Sequence, residues 1–249
     1  MNRAVTAREA EFWDDQAVPL DDALRRHAAG PDVLERALIE ALEPLQGKRV
    51  LDFACGVGLL GIWLSERGAE VVGVDVSPGS IERARELAAA VGSSATFVTG
   101  LVSADAPPGA FDRVCGRFAL HHTDLSVTAP ILAGKLAPGG RAAFLETMAT
   151  NPLLAFARSL TGRFGIPRFG TVDEHPLTRA DLALLDREIG RLTVTAPQIV
   201  FLRMVDRQLL QFRYPIVSRP LRAIDDTLGR LGLDWLSYQQ LLVFDRDER

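Results

Sequence analysis

Residues 50–58 read Val50-Leu51-Asp52-Phe53-Ala54-Cys55-Gly56-Val57-Gly58, and about a dozen residues further on the chain returns with Val71-Val72-Gly73-Val74-Asp75. An apolar run that ends in a glycine-rich turn, followed by a helical stretch and a second apolar run that ends in an acid, predicts two parallel strands joined by a helix. In such a sheet the turn after the first strand and the tip of the second lie side by side at the carboxyl edge, where doubly wound folds bind nucleotides. Glycines there let the backbone approach a ligand, and an acid ending the second strand can accept both hydroxyls of a ribose. Asp75 is the expected ribose anchor.

The same rhythm extends in both directions. Strands are predicted over 49–54, 70–76, 95–99, 111–118 and 141–148. A helix over 58–66 ends at Gly68, and a second is capped by Ser77-Pro78 and keeps Ile81, Ala84, Leu87, Ala88 and Val91 in register until Gly92. A third helix covers 126–136, before a turn at Pro138-Gly139-Gly140. Upstream, residues 32–45 place Leu34, Leu38, Ala41, Leu42 and Leu45 on one helical face after Gly30-Pro31, a shorter helical stretch holds Glu11-Phe12-Trp13, and the charged run around His27 reads as solvated. Downstream, a helix near 153–160, a loop at 165–170 and a helix opening at Thr178, with Asp181 three positions on, interrupt the alternation. A sixth strand over 192–202, a mostly helical stretch over 206–231 broken near Pro215, and a last strand over 237–244 follow.

The predicted fold is therefore α/β, a doubly wound and mostly parallel seven-stranded sheet. Residues 1–46 would form an N-terminal helical lid, 47–150 the nucleotide-binding core, 151–190 a cap inserted after the fifth strand, and 191–249 the strands and helix that complete the sheet.

Composition narrows the partners. A chain of 249 residues with 47% hydrophobic content can bury a core without disulfides or metals. Its net charge of -4, with 28 basic residues spread along the chain, leads us to expect no nucleic acid and no membrane as partner. The first fifteen residues lack an apolar signal centre and no later run has the ~18 apolar residues of a membrane span, so the expected location is cytoplasmic, as monomer or homodimer. Cys55 and Cys115 are too few for a metal cluster and read as small core thiols, so no metal is expected.

Together with Phe111-Asp112 and Leu136-Ala137-Pro138-Gly139-Gly140, the opening motif resembles the class I S-adenosylmethionine (SAM) dependent methyltransferases, strongly over residues 46–150 and in outline beyond. The resemblance implies that Asp52 and the loop of Ala54, Cys55, Gly56 and Gly58 hold the methionine end of SAM. It implies further that Asp75 holds the ribose, that Val76, Leu101 and Val102 hold the adenine, and that Arg117 belongs to the same cofactor-binding set. Two positions depart from the family pattern: Ala54 stands where the first glycine is usual, and Leu101 where an acid often bonds the adenine amino group.

Gly56-x-Gly58-x-x-Gly61 also satisfies the dinucleotide fingerprint, which makes NAD the rival cofactor. Charge decides between them, because Asp52 would bring a carboxylate towards a pyrophosphate, whereas SAM carries an ammonium and a sulfonium and no phosphate.

His121 and His122, just after the fourth strand, are the candidate general bases, with His122 preferred. His175 before Pro176, the arginines at 158, 163 and 168, and an aromatic lid of Phe12 and Trp13 are further acceptor-side or cofactor-side candidates. The expected function is transfer of the SAM methyl group to an oxygen or nitrogen of a small molecule, releasing S-adenosylhomocysteine (SAH). The alternatives are a SAM-binding cyclase or isomerase without methyl transfer, a nicotinamide-dependent oxidoreductase, and a non-enzymatic binding module.

Overall fold

Val50, Leu51 and Asp52 lie buried in strand β1 (Arg49–Phe53), which runs parallel to β2 (Glu70–Asp75) on one side and to β4 (Phe111–Arg117) on the other. These strands belong to a computed structural model that describes residues 10–11, 14, 18–159, 175–206, 210 and 213–248. With β3 (Thr96–Thr99), β5 (Leu136–Thr147), β6 (Arg191–Thr195) and β7 (Gln239–Asp245) they form one seven-stranded sheet in the order β3-β2-β1-β4-β5-β7-β6. β7 inserts antiparallel between β5 and β6, and the other pairings are parallel. The doubly wound, mostly parallel architecture expected from the sequence is the one observed.

Both faces of the sheet are covered, which is why its central strands read as continuous apolar runs. One face carries α1 (Leu20–Ala29), α2 (Val33–Ala41), α3 (Leu59–Ser65) and α4 (Pro78–Val91), whose Leu38, Ile62, Trp63 and Ile81 pack on Val50, Cys115, Ala143 and Leu145. The other carries α5 (Leu125–Lys135) and α7 (Arg179–Ile189), whose Leu132 and Leu185 pack on Leu51, Val114, Phe144 and Phe244. Along β5, Ala143 and Leu145 serve the first layer and Ala142 and Phe144 the second, the period of two that a pleated strand imposes. Beyond β5, α6 (Pro152–Ser159) opens the segment expected to form the cap. The expected loop at 165–170, with Arg163 and Arg168, lies outside the described residues, as do Phe12, Trp13 and the side chain of Arg158.

Several boundaries differ from expectation for identifiable reasons. The charged run around His27 is helical, as α1, and His27 is not solvated: its Nε2 sits 2.7 Å from Glu66 Oε1 while Ala23 is fully buried. α2 opens on a capping box, in which Asp32 Oδ1 accepts from Leu34 N and Glu35 N (both 2.9 Å) and Glu35 Oε2 accepts from Asp32 N (2.8 Å). It ends at Ala41 rather than 45, because a residue before proline, here Glu43 before Pro44, is pushed out of the helical region. Pro138-Gly139-Gly140 lies inside β5 as an irregularity, where the pairing with β4 shifts register, and Gly139 takes a positive φ of 70°. β6 stops at Thr195, short of the expected 202, since Pro197 has no N–H to continue a ladder. In the C-terminal stretch, α8 (Leu202–Val205) is followed by α9 (Pro215–Arg230), which starts at Pro215 where a break was expected, with proline in the first turn.

The turn after β1 is tight. Ala54 adopts φ 52° and Gly58, which caps α3, adopts φ 78°; a Cβ on Gly58 would come within 2.6 Å of the Phe97 ring. Gly58 is thus required by packing as well as by backbone conformation, whereas Ala54 carries the cost of a left-handed L-residue, ~1 kcal/mol. Ala54→Gly is expected to raise the thermal midpoint of the ligand-free protein by about 2–4 °C, measured by calorimetry. An unchanged or lower midpoint would mean that the Ala54 methyl group contributes packing that outweighs its backbone strain.

Candidate active site

The carboxyl ends of β1, β2 and β4 open into a cleft of about 420 Å³, within the ~300–1,000 Å³ typical of small-molecule sites. Asp52, Ala54, Cys55 and Gly56 from the first turn line it, with Asp75 and Val76 from the tip of β2. Leu101 and Val102 follow from the loop after β3, and Arg117 and His122 from the end of β4. Ten of the twelve residues singled out from the sequence are therefore gathered in one cavity, and Val127 and Ile131 of α5 close its apolar side.

Asp75 holds the cavity's frame. Its Oδ2 accepts from Gly56 N (2.8 Å) and its Oδ1 from Ser77 N (2.9 Å), so a single carboxylate ties the first turn to the start of α4. Burial raises its pKa above the usual carboxylate value, and the amides of Ser77 and Gly56 oppose that rise. A carboxylate offers about four lone-pair sites, so two accepted amides leave capacity for ligand hydroxyls. Ser77 Oγ caps α4 by accepting from Ser80 N (3.0 Å), and Asp14 from the N-terminal segment reinforces that end by accepting from Gly79 N (2.9 Å).

Asp52 lies deeper. It is 1% exposed, the Cys115 thiol lies 3.8 Å from Oδ1, and the Gly61 N–H of α3 faces the carboxyl. Burial pushes its pKa up to about 7, against the pull of the Arg117 cation and of the Gly61 N–H, with a smaller push from the charge of Asp75. A buried carboxyl group of this kind costs free energy unless a cation or donors meet it. The first turn, meanwhile, keeps its own amides occupied: Gly56 N serves Asp75, Gly58 N donates to Cys55 O (3.0 Å), and Cys55 N donates to Val74 O (3.3 Å). Those three N–H groups are not free to cradle a phosphate.

Two buried glutamates, neither singled out from the sequence, position the rest of the wall. Glu146 on β5 is fully buried and accepts from Ala119 N (2.9 Å) and Leu120 N (2.8 Å) through Oε1, while Oε2 lies 2.7 Å from His121 Nδ1. That carboxylate fixes the bend after β4, where Phe118 adopts φ 55°, and so aims His122 at the cleft. Glu35 on α2 is 1% exposed and bridges Arg117, on the cleft wall, to Arg26, whose guanidinium lies 5.1 Å from the Trp63 ring centre. Asp105 orders the loop after β3, accepting from Leu101 N (2.7 Å) through Oδ2. A charged residue inside the apolar run Ala142–Met148 was the available signal for Glu146, since carboxylates are almost never buried unless paired.

Some expected site residues stand elsewhere. Gly58 does not line the cleft and supports it from behind, against Phe97 and Ala84. His121 is 3% exposed and turned onto Glu146, with its ring centre 4.2 Å from that of His122. His175 is exposed outside the cleft, its main-chain N–H donating to His121 O (3.3 Å). Both cysteines are free thiols; Cys115 belongs to the core, but Cys55, expected there too, is half-buried on the cleft wall. Among the described residues, no group of three or more His, Cys, Asp or Glu side chains is placed to hold a metal ion.

Residues 50–140 match a family model described as a methyltransferase domain. The ubiquinone biosynthesis O-methyltransferase of Alkalilimnicola ehrlichii is 32% identical over 151 residues, which span 59% of this chain and 58% of that protein. The ribosomal protein L11 methyltransferase of Ralstonia pickettii is 36% identical over 118 residues, 46% of this chain and 38% of that protein. The chain thus spans about half the length, or less, of these relatives. In fold it is similar to the magnesium protoporphyrin IX methyltransferase of Synechocystis PCC 6803 with bound SAH, with a TM-score of 0.58, 18% identity, and coverage of 86% of this chain and 84% of that one. Residues 50–140, which hold the turn after β1 and most of the cleft's lining, are thus similar to a methyltransferase domain, and the sheet around them shares its fold with solved methyltransferases.

Proposed function

We propose that the cleft binds SAM and that the protein transfers its methyl group to an oxygen or nitrogen of a small-molecule acceptor. The observation that carries this reading is the buried Asp52 carboxyl on the lining of the cleft, beside a turn whose Cys55, Gly56 and Gly58 amides are already engaged. Such a site suits a cation and not a pyrophosphate, which favours SAM over NAD. Asp52 would meet the methionine ammonium group, Asp75 the ribose hydroxyls, and Val76, Leu101 and Val102 the adenine.

Bound there, SAM supplies a methyl group on a sulfonium, a good leaving group, so that the acceptor's lone pair forms the new bond as the carbon–sulfur bond breaks and SAH departs. What remains for the chain is alignment and the exclusion of water, to which the apolar wall of Val127 and Ile131 contributes. His122 is placed to take the proton that a hydroxyl or amine acceptor loses, and Glu146 positions the bend that carries it. A small acceptor accords with a concave cleft, with an acidic chain, and with the similarity to a ubiquinone biosynthesis O-methyltransferase; the similarity to a ribosomal protein L11 methyltransferase makes a protein acceptor the second reading.

The test is thermal unfolding with SAM, SAH and NAD(H) in parallel. At a hundred times its dissociation constant SAM should raise the midpoint by about 5–10 °C, and Asp75→Asn should abolish the rise. A rise with NAD(H) alone would overturn the reading. SAH release with a panel of hydroxyl and amine acceptors then separates methyl transfer from a SAM-binding cyclase or isomerase. His122→Ala should lower turnover by about 10²-fold or more, with little change in SAM affinity, if it is the base.

Asp52 makes the binding pH-dependent. Its folded pKa of about 7 lies above the ordinary 3.8, so in the ligand-free protein stability falls as pH rises through that window, because the folded state holds the proton that the unfolded state has released. An ammonium group favours the ionised form, so SAM affinity is expected to tighten about fivefold between pH 6 and pH 7. Calorimetric titration of wild type and Asp52→Asn should show that dependence in the first and its loss in the second.

A further inference from the structure

Ten large apolar side chains are exposed among the described residues, and eight of them fall on α6 and on the segment 214–235 that contains α9. The arrangement of α9 is the reverse of an ordinary surface helix, which buries its apolar stripe. Its inward face is polar: Asp225, fully buried, accepts from Phe201 N (3.3 Å), Leu202 N (2.9 Å) and Arg203 N (3.0 Å), and Ser218 is buried beside it. With 3.6 residues per turn, the opposite face carries Ile216, Pro220 and Ile224 at four-residue steps and Val217, Ile224 and Leu231 at seven-residue steps. Ile216 is 85% exposed and Leu231 68%.

The surface continues past the end of the helix. Trp235, 46% exposed, shares a short 3-10 turn with Leu236, and main-chain carbonyls of that turn accept from Thr150 Oγ1 (3.3 Å) and Asn151 Nδ2 (2.8 Å) at the start of α6. Leu153 and Phe156 on α6 are 62% and 67% exposed. Hydrogen bonds therefore tie the turn that follows α9 to the residues before α6, and that turn exposes a tryptophan, the residue type that favours the boundary between water and hydrocarbon.

Charge identifies the occupant. The chain as a whole is acidic, yet residues 213–231 hold four arginines, at 213, 219, 222 and 230, against Asp225 and Asp226. All four arginines are exposed, whereas Asp225 is buried and Asp226 pairs with Arg203. An exposed apolar stripe flanked by basic side chains is the pattern of a helix that lies in the plane of an anionic membrane surface. A second copy of the chain packed symmetrically on α9 would set these arginines against their own counterparts, whereas anionic headgroups neutralise them. No helix among the described residues is long and apolar enough to cross a membrane. We propose that α9, with Trp235 and the start of α6, docks the protein on anionic lipid bilayers, a partner that the even spread of basic residues along the sequence gave no reason to expect.

The experiment is flotation of the purified full chain with vesicles of phosphatidylcholine, with and without phosphatidylglycerol. Binding to the anionic vesicles alone, weakening as salt is raised, is expected; Arg219→Glu with Arg230→Glu should weaken it at least tenfold, at about fivefold for each arginine lost. Ile216→Ser with Ile224→Ser should also weaken it at least tenfold, and an unchanged thermal midpoint in these surface variants certifies their fold. Absence of binding to the anionic vesicles would overturn the proposal, as would equal binding to both vesicles. So would a concentration-dependent dimer, seen by sedimentation and lost in the double serine variant, which would assign the surface to a second copy of the chain.

Discussion

The carboxylate of Asp75 is the interaction on which the site rests. It joins Gly56 N–H, nineteen positions before it in the sequence, to Ser77 N–H, pinning the first turn to the tip of the second strand. Because Gly56 N–H is committed there, and Gly58 and Cys55 close the turn with their own amides, the loop becomes a rigid wall rather than an anion nest. The left-handed conformations at Ala54 and Gly58 follow from that closure. One carboxylate thus both lines the cleft and builds its loop, which is how a short loop can present a fixed first wall.

Around this frame, charge is concentrated where water is excluded. Asp52, Asp75, Glu35 and Glu146 are all buried or nearly so, and each has different partners: a thiol with one amide, two amides, two arginines, and two amides with a histidine. Three of the four are satisfied by the chain itself and organise a wall of the cleft. The fourth, Asp52, is satisfied by the chain only in part and is held near neutrality by burial. That asymmetry sets Asp52 apart from the three carboxylates that serve as scaffolding, since unmet electrostatic demand at a cavity is what a ligand can fulfil.

Much of this was legible in the sequence because it depends on local order. The glycine-rich turn, the acid at the tip of β2, the Ser77-Pro78 cap and the Thr178–Asp181 capping box are each set by residues within a few positions of one another, and each appears where expected. The misplaced boundaries were set instead by single prolines, at 44 and 197, whose effect on a neighbour outweighed the apolar periodicity that suggested longer elements. Helix α1 was missed because its charged residues hide a single buried position, Ala23.

The sequence by itself determined the sheet, its parallel core and the carboxyl-edge address of the site, because strand and helix periods and turn chemistry are short-range properties. Only the tertiary structure decided which of two adjacent histidines faces the cleft, that Glu35 and Glu146 hold its walls, and that α9 turns its apolar side outward. Those outcomes depend on contacts between residues tens of positions apart, such as Arg117 with Glu35 and His121 with Glu146, and on which face of a helix a neighbour happens to cover. Periodicity shows that a helix has two faces; packing chooses the one that meets the core.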